Sequence, residues 1–591
     1  MLTPTATPAP QSQTLLILTA LRSSVLLYIS FFPLNLGFFA WIALVPLLHL
    51  VDSTARSRHV YLAAFIGGLG FYIPAMQWMR VAHPAMYATW IVLALMCAGY
   101  FALDIFLIRL LRRRGMPLVL AAPVVFVGLD YFRANFPTGF TWMEPLGIQH
   151  RIGFSWYFLG YTQHDFVQAI QIADLGGVYA VSFVVISVNA VVYQWSRCLL
   201  TLQGRYWSAL VAGVLLLGPL FYIWWRRVLQ GSTAPRPWSA SVAAGALLLA
   251  TLAYGFETSA TPRVDDGPRV AMLQSNLPQA VKMGEADTMD QQMRQLLVEA
   301  VNVPQSQFPD MIIWPETTCS GDWYELGAGV ETSNIPEAWR SKLQFSSRLT
   351  QGISGWKTNQ LLGLNGMELD RDGKTWKYNS AKLINKDGTA GPRYDKMHLV
   401  PFGEYVPLKS TFPWLQKFTP YTHDYSCKPG EHWSRFPLKV GDREYVFGCV
   451  ICYEDSDPSL ARRYAVADAE GRAVDFLVNI SNDGWFNGTE EHEQHLAICR
   501  FRAVECRRAI VRSVNMGISC IIDANGRVSD LPGPSWAESV KISTVVRGVV
   551  PIDARSSIYP QVGDWVPLMC LILFGVGWCL PYVRSSRRAD R

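Results

Sequence analysis

Three short stretches of the chain hold residues able to do covalent chemistry. "WPETT" (314–318) sets Glu316 at the end of the apolar run "DMIIWPE". "YDKMHLVPFGEYVP" (394–407) sets Lys396 in a segment rich in His, Pro and Gly, and "CVICYED" (449–455) sets Cys452 at the end of a second apolar run. Lys396 lies 80 positions after Glu316, and Cys452 lies 56 after Lys396. A cysteine attacks a carbonyl only as the thiolate, so it needs a base and a positive neighbour. Glu316 can take the proton and Lys396 can supply the field. The lysine can then hydrogen-bond the oxyanion that forms on the attacked carbon, and backbone N–H groups in the turn after Cys452 would complete that hole. Singly, each residue is ordinary: a loop glutamate is solvated, and a strand-end cysteine is most often a small buried hydrophobe. Together they share one layout, a functional group at the carboxyl end of an apolar strand, where open α/β sheets gather their chemistry.

The elements that must position them begin near residue 258, where charges become frequent and apolar runs shrink to strand length. Runs at 269–276, 310–316, 360–368, 444–454, 475–483, 509–514 and 519–526 read as strands, several buried on both faces, with helical patterns at 284–302 and 490–508 between them. This is an α/β domain with a sheet-rich core.

The first half is different in kind. Of the 591 residues 50% are hydrophobic and only 17% charged, against roughly 25% charged in soluble proteins. The mean hydropathy of +0.16 is high for a soluble enzyme yet too low for a chain made only of membrane spans, so a membrane part joined to a soluble part is expected. Apolar segments near 14–31, 37–52, 59–77, 88–110, 117–133, 176–194, 207–225 and 238–256 read as spans, with a last one at 566–583. Arg22 and Asp130 fall inside the first and fifth. "MLTPTATPAPQSQ" (1–13) lacks a basic n-region and reads as a disordered lead, not a cleaved signal. The resulting organisation is a lead (1–13), a transmembrane helical domain (14–257), a catalytic domain (258–565), a C-terminal span (566–583) and a basic tail (584–591).

Arginines cluster in the short loops, at Arg56 and Arg58, at Arg112, Arg113 and Arg114, at Arg197 and Arg205, and in the tail "RSSRRADR". Such clusters are topology signals that place these loops in the cytoplasm and residues 258–565 outside it, and they exclude a nucleic-acid footprint. Parity objects: eight spans from a cytoplasmic N-terminus would return the chain to the inside. Either one segment before 257 fails to span, or the N-terminus lies outside.

The motifs "WPETT", "YDKMHLVPFGEYVP" and "CYED", in this order, resemble the Glu-Lys-Cys triad of the nitrilase (carbon–nitrogen hydrolase) superfamily, and most closely its membrane branch, the apolipoprotein N-acyltransferases. "LQSNLPQAVK" (273–282), "NISNDGWF" (479–486), "IYPQVGDW" (558–565), and on the membrane side "FFAWIALVPLL" (38–48) and "DLGGVYAVSFVVISVNA" (174–190), extend the resemblance over nearly the whole chain. It implies an αββα sandwich carried by a multi-pass helical domain in a bacterial inner membrane, with the catalytic domain facing the periplasm. It also implies transfer of the sn-1 acyl chain of a phospholipid, through a cysteine thioester, to the α-amino group of an S-diacylglyceryl cysteine at a lipoprotein N-terminus.

By motif position Cys452 would be the nucleophile, Glu316 the general base and Lys396 the oxyanion-stabilising lysine. Glu404, Tyr453 and Glu454 would support them, and Met283 and Trp485 would face substrate. Met283 stands where relatives carry tryptophan, which removes aromatic stacking there, and "GDWYELGAG" (321–329) is an insertion after the glutamate motif. The partners implied are a phospholipid donor, a diacylated apolipoprotein acceptor and the bilayer, with the protein a monomer and no nucleic acid, cofactor or metal.

A membrane-anchored amidase that uses water on a small amide is the competing reading, and a scaffold with a decayed catalytic domain is a third, disfavoured by the intact Glu316, Lys396 and Cys452. Weaker signals have structural readings. The sequons "NIS" and "NGT" fall on a strand and its loop, His492 and His495 in "HEQH" mark a helix face near the site, and Cys449 packs in its strand. The eleven cysteines show no zinc-type CxxC…HxxxH spacing. The aromatic stretch 136–165 reads as membrane-interface side chains or as a docking surface for lipid.

Overall fold

The computed structural model of the chain describes residues 12–136, 153–200, 237–260, 264–331, 333, 335–406, 409, 411–418 and 425–581. The expected span 207–225, the greater part of the lead and of the 136–165 stretch, and the basic tail lie outside them.

Among the described residues five helices are long and apolar enough to cross a membrane. They are α1 (Gln13–Ser30), α3 (Met86–Arg113), α4 (Leu118–Asn135), α5 (Ala173–Leu200, of which the stretch to Cys198 qualifies) and α6 (Trp238–Ala260). A sixth, α2 (Ser57–Ala75), packs between α1 and α3. Asp130 in α4 is neutralised one turn on by Arg133 at 2.8 Å, which makes its burial tolerable.

The segment read as a single span at 37–52 is instead three short helical turns, Gly37–Phe39, Ala40–Ala43 and Val45–Leu48, with Pro46 at the start of the last. It nevertheless runs the depth of the bundle beside α5. Gly37 accepts from Gln163 Nε2 (2.8 Å), the Leu44 N–H donates to Asn189 Oδ1 (2.9 Å), and Tyr193 donates to Asp52 (2.7 Å). The expected last span, 566–583, is a helix at Trp565–Cys579 of 15 residues. At about 22 Å it is shorter than the hydrocarbon layer.

Side-chain contacts fix which end of each helix meets the catalytic domain. Phe32, Gln77, Asn135, Asp174 and Trp565 lie at that end, and Asp52, Arg109, Arg114, Trp195 and Trp578 at the other. The end of α5 and the start of α6 meet at the far face, with Trp195 and Trp238 rings 5.1 Å apart. Counted over the described residues, the chain therefore makes seven passes before the catalytic domain: α1, 37–52, α2, α3, α4, α5 and α6. The end of α5 and the start of α6 lie at one face, and the expected span 207–225 between them falls outside the described residues.

The catalytic domain has two six- to seven-stranded sheets face to face. The first runs β13 (Thr544–Asp553), β1 (Val264–Gln274), β2 (Met311–Ile313), β4 (Asn359–Leu369), β5 (Thr375–Ile384), β6 (Ala390–Asp395), with β3 (Trp323–Leu326) also on β4. The second runs β12 (Val528–Ser529), β11 (Cys520–Ile522), β10 (Ala509–Asn515), β9 (Phe476–Asn482), β8 (Arg443–Ile451), β7 (Arg435–Val440). Inward side chains of both sheets, among them Met272, Ile313, Leu361, Phe447, Cys449 and Ile480, form one core. Outside the first sheet pack α7 (Gln279–Gly284), α8 (Ala286–Val301) and α9 (Glu337–Ser354), and outside the second α10 (Pro458–Ala465) and α11 (Glu491–Cys506). The result is an αββα sandwich. The expected insertion 321–329 forms the added edge strand β3, parallel to β4.

α11 serves two cores at once. Leu496, Cys499 and Ala503 face the sheets, while Ile498, Phe501 and Val504 enter the membrane-side cluster. Beside it, Arg507 binds Asp174 (2.7 Å) and Gln171 (2.6 Å), and Glu505 caps the Val178 N–H (2.8 Å), where α5 restarts after a kink at Gly177 (φ 68°). Arg507→Met leaves the buried Asp174 without its bonded cation, holding only the Tyr254 hydroxyl (2.7 Å), at a cost of about 3 kcal/mol. The expected result is a lower thermal midpoint of the detergent-solubilised protein; an unchanged midpoint would remove this pair from the junction's energetics.

Candidate active site

Parallel strands β1, β2, β8, β9 and β10 end at one rim of the sandwich, and the two sheets are tied there. Ser513 Oγ bridges the carbonyls of Leu273 (3.1 Å) and Ile313 (3.0 Å), and Asn515 bonds Ser275 and the backbone of Leu277. Glu316 leaves the end of β2 at this rim. Its turn is tight: Thr317 has φ 49°, and the β4 backbone at Gly363 comes so close that a Cβ there would lie 2.1 Å from the Pro315 oxygen and 2.8 Å from the Glu316 Cα. Gly363→Ala must push Glu316 aside. A misplacement of about 1 Å costs on the order of 100-fold in rate, so this variant should stay folded and lose that factor in acyl-enzyme formation, measured in single-turnover experiments; full activity would show that Glu316 is not held from β4.

Lys396 follows β6 directly and is 1% exposed. Its Nζ lies 3.1 Å from Glu316 Oε1 and 3.0 Å from Glu404 Oε2. Burial works against its charge, but the two carboxylates override this and its pKa stands well above the usual lysine value. Asn379 of β5 reinforces the cluster by donating Nδ2 to Glu316 (2.6 Å) and to Glu404 (2.7 Å), while its backbone carbonyl accepts from the Lys396 N–H (2.8 Å). Asn379 gives no signal in the sequence because it looks like any polar residue of a strand; only the β4–β5–β6 register brings it opposite Lys396.

Cys452 ends β8 and opens a one-turn 3-10 helix, Cys452–Ser456. It takes φ 54°, a conformation non-glycine residues avoid unless the surroundings impose it, and one that recurs at functional sites. Burial first, then the charges of Glu316 and Asp483, push its thiol well above the ordinary value, while Lys396 and a hydrogen bond from Ser481 pull the other way. Chemistry at the Cys452 sulfur would therefore have to begin with loss of its proton to a base.

Glu454 holds the two halves of the site together. Fully buried, it accepts from the N–H groups of Ile451 (2.7 Å), Met397 (2.7 Å) and His398 (3.0 Å) and from the Tyr394 hydroxyl (2.9 Å). It therefore pins the Cys452 turn to the segment that carries Lys396, and burial raises its carboxyl to about 7 against the pull of those donors. Tyr453 turns toward the bundle, its ring parallel to Trp156 at 6.3 Å. Trp485 is half-buried on the turn Asp483–Phe486, next to Phe486, which meets Trp78 edge-on at 4.9 Å. Met283 lies in α7; its side chain is outside the described residues.

Behind Cys452 lies a buried charged network that the sequence does not reveal. His495 joins Asp455 (2.8 Å) and Asp483 (3.2 Å), Arg512 joins the same two carboxylates (3.0 and 3.1 Å), and Ser481 donates to Asp483 (2.6 Å). Burial and Arg512 oppose a charged His495, but the aspartates hold its pKa up to about 10. Asp483, Glu491 and His492 converge closely enough to suggest a metal site. The donor set does not suit one: His492 Nε2 accepts from the Gly488 N–H (2.8 Å), which leaves a proton on Nδ1, the atom facing Glu491 and Asp483.

The comparisons with known proteins agree with this architecture. A family model described as the apolipoprotein N-acyltransferase N-terminal domain matches residues 23–191, and one described as carbon–nitrogen hydrolase matches 269–551. The apolipoprotein N-acyltransferase of Geobacter metallireducens is 30% identical over 580 residues, covering 96% of each chain. That of Rhodopirellula baltica is 27% identical over 604 residues, covering 94% of this chain and 95% of its own. Among solved structures, an amidase from Nesterenkonia sp. aligns at 16% identity and a TM-score of 0.32, over 51% of this chain and 95% of its own. A nitrilase-type sandwich built onto a membrane bundle defines the class: a membrane-embedded carbon–nitrogen hydrolase fold. Within that class, the chain belongs to the apolipoprotein N-acyltransferase family.

Proposed function

We propose that this protein N-acylates diacylated apolipoproteins by a two-step transfer through Cys452. In the first step Glu316 takes the Cys452 proton as the sulfur attacks the ester carbonyl of a phospholipid. Lys396 Nζ hydrogen-bonds the oxyanion. Collapse breaks the ester C–O bond, the lysophospholipid oxygen leaves with the proton from Glu316, and the acyl group remains as a thioester. In the second step the α-amine of the lipoprotein's lipidated cysteine attacks that thioester and passes a proton to Glu316. The C–S bond breaks, Glu316 returns the proton to sulfur, and an amide is released.

The observation that carries this reading is the site's position. Tyr453, next to Cys452 in the chain, and Phe486, on the turn that follows β9, pack against the same apolar cluster as the membrane helices. Donor and acceptor both reside in the bilayer, so a thioester formed there meets a lipidated amine at high effective concentration and little water. The domain organisation supports the same reading. Arg56, Arg58, Arg112, Arg113, Arg114 and Arg197 gather at the far end of the bundle, which the positive-inside rule assigns to the cytoplasm. The catalytic domain then faces the periplasm of a bacterial inner membrane.

The test supplies purified protein in detergent micelles with a phospholipid labelled in its sn-1 chain and a diacylated lipopeptide. Intact-mass spectrometry should find the acyl group on Cys452, and addition of lipopeptide should move it to the peptide amine. A thioester that is only hydrolysed, with or without lipopeptide, would favour the amidase reading and sink this one.

A further inference from the structure

Lys282 sits against the turn that carries Glu316 and has no part in the chemistry above. It projects from α7, and its Nζ donates to the Glu316 carbonyl oxygen (2.9 Å) and to Thr317 Oγ1 (3.0 Å). These atoms belong to the turn that aims Glu316, the same turn clamped from β4 by Gly363. Both partners are neutral, so the ammonium keeps its charge for the groups around it, Glu316 and Cys452.

A charge count shows what that does. Lys396 bonds both Glu316 and Glu404, and the three charges sum to −1, which opposes the formation of a thiolate beside them. With Lys282 charged the sum is zero. When the Cys452 proton moves to Glu316, Lys282 and Lys396 face the thiolate and Glu404, and the balance holds.

We propose that Lys282 is a positioning residue of the acyl-transfer site, a second cation that fixes the base-bearing turn from α7 and keeps the enclosed site neutral while the Cys452 thiolate forms. The inference rests on Cys452 being the nucleophile. Burial lowers Lys282 to about 8 against the pull of Glu316 and Cys452. The sign follows. Below that pH the lysine is charged and the site balanced; above it the lysine loses its proton and thiolate formation is penalised.

The experiment uses the full chain in detergent and compares wild type, Lys282→Met and Lys282→Arg between pH 6 and 10. Two rates are read: alkylation of Cys452 by iodoacetamide, followed on its peptide by mass spectrometry, and thioester formation with phospholipid. Loss of one nearby charge corresponds to one to two pKa units, so Lys282→Met should slow alkylation at pH 7 by about 10–100-fold. Wild-type alkylation should flatten above pH 8, whereas Lys282→Arg, which stays charged, should keep rising. Superimposable profiles for wild type and Lys282→Met, or a bend at the same pH in Lys282→Arg, would overturn the inference. Alkylation that depends on Lys282 in a protein that forms no thioester would sustain the inference and sink the acyl-transfer reading instead.

Discussion

Cys452→Ala should abolish acyl transfer while leaving the fold intact. No adduct should form from labelled phospholipid, and lipopeptide acylation should fall by at least about 10⁴-fold, as when a covalent catalyst loses its nucleophile. The fold should survive because alanine has the same backbone preferences as cysteine at φ 54° and leaves only a sulfur-sized gap in a half-buried position. The neighbouring framework does not depend on the thiol: Glu454 anchors the turn through the Ile451, Met397 and His398 N–H groups, and Asn479 reaches the Cys452 carbonyl, not its side chain. A thermal midpoint close to wild type with no detectable thioester is the expected pair of results. Residual transfer within 100-fold of wild type would mean that the amine attacks the phospholipid directly, and the two-step route would fail.

Glu316 and Cys452 are legible in the sequence because each lies where an apolar strand stops and a polar turn begins, a boundary that composition marks clearly; Lys396 follows the polar strand β6 and is marked only by its motif. The residues around them are less visible. Asn379, Lys282 and Arg512 sit in strands or a short helix whose local pattern is ordinary, and the partners that place them lie 25 to 63 positions away, Glu404 and Glu316 for Asn379, Glu316 for Lys282, Asp483 and Asp455 for Arg512. Their placement is set by register and by the meeting of two sheets, which no local window contains. The same reason explains the strands that pattern alone does not find. β5 ("TWKYNSAKLI") and β6 carry lysine, asparagine and arginine, and β13 ("TVVRGVVPID") becomes a strand by closing antiparallel on β1 at the opposite end of the domain.

In the membrane, apolar length alone suggests one span at 37–52. Asn189 of α5 and Gln163 just before it, both buried polar groups, take up backbone donors and acceptors that a broken helix exposes, and so allow a segment with Pro46 to cross in pieces. Hydropathy does not record which helix ends meet; the contact between Trp195 and Trp238 does.

Lys396→Met carries the second of the largest expected effects, and it should differ from Cys452→Ala in kind. Lys396 bridges Glu316 and Glu404 with positive charge that touches both, and both carboxylates also share one Asn379 amide. Without the lysine they become a like-charged pair in an enclosed site, and one must take up a proton. If that proton settles on Glu316, the base is gone as well as the oxyanion donor. Loss of a general base costs about 10²–10⁴-fold and loss of an oxyanion donor about 10²–10³-fold; because the two groups act as a unit the losses do not multiply. Thioester formation should therefore fall by at least about 10³-fold. Unlike Cys452→Ala, this variant should also lose stability, since removing one member of a buried ion cluster leaves charge uncompensated. Adding Glu404→Gln removes that excess charge, so the double variant should regain stability without regaining activity. Lys396→Arg should not rescue, because the planar guanidinium cannot occupy the point between two carboxylates and an oxyanion that a compact ammonium fills. Recovery of activity in Lys396→Met/Glu404→Gln would show that the lysine serves only to neutralise Glu404, and its assignment to the oxyanion would be wrong.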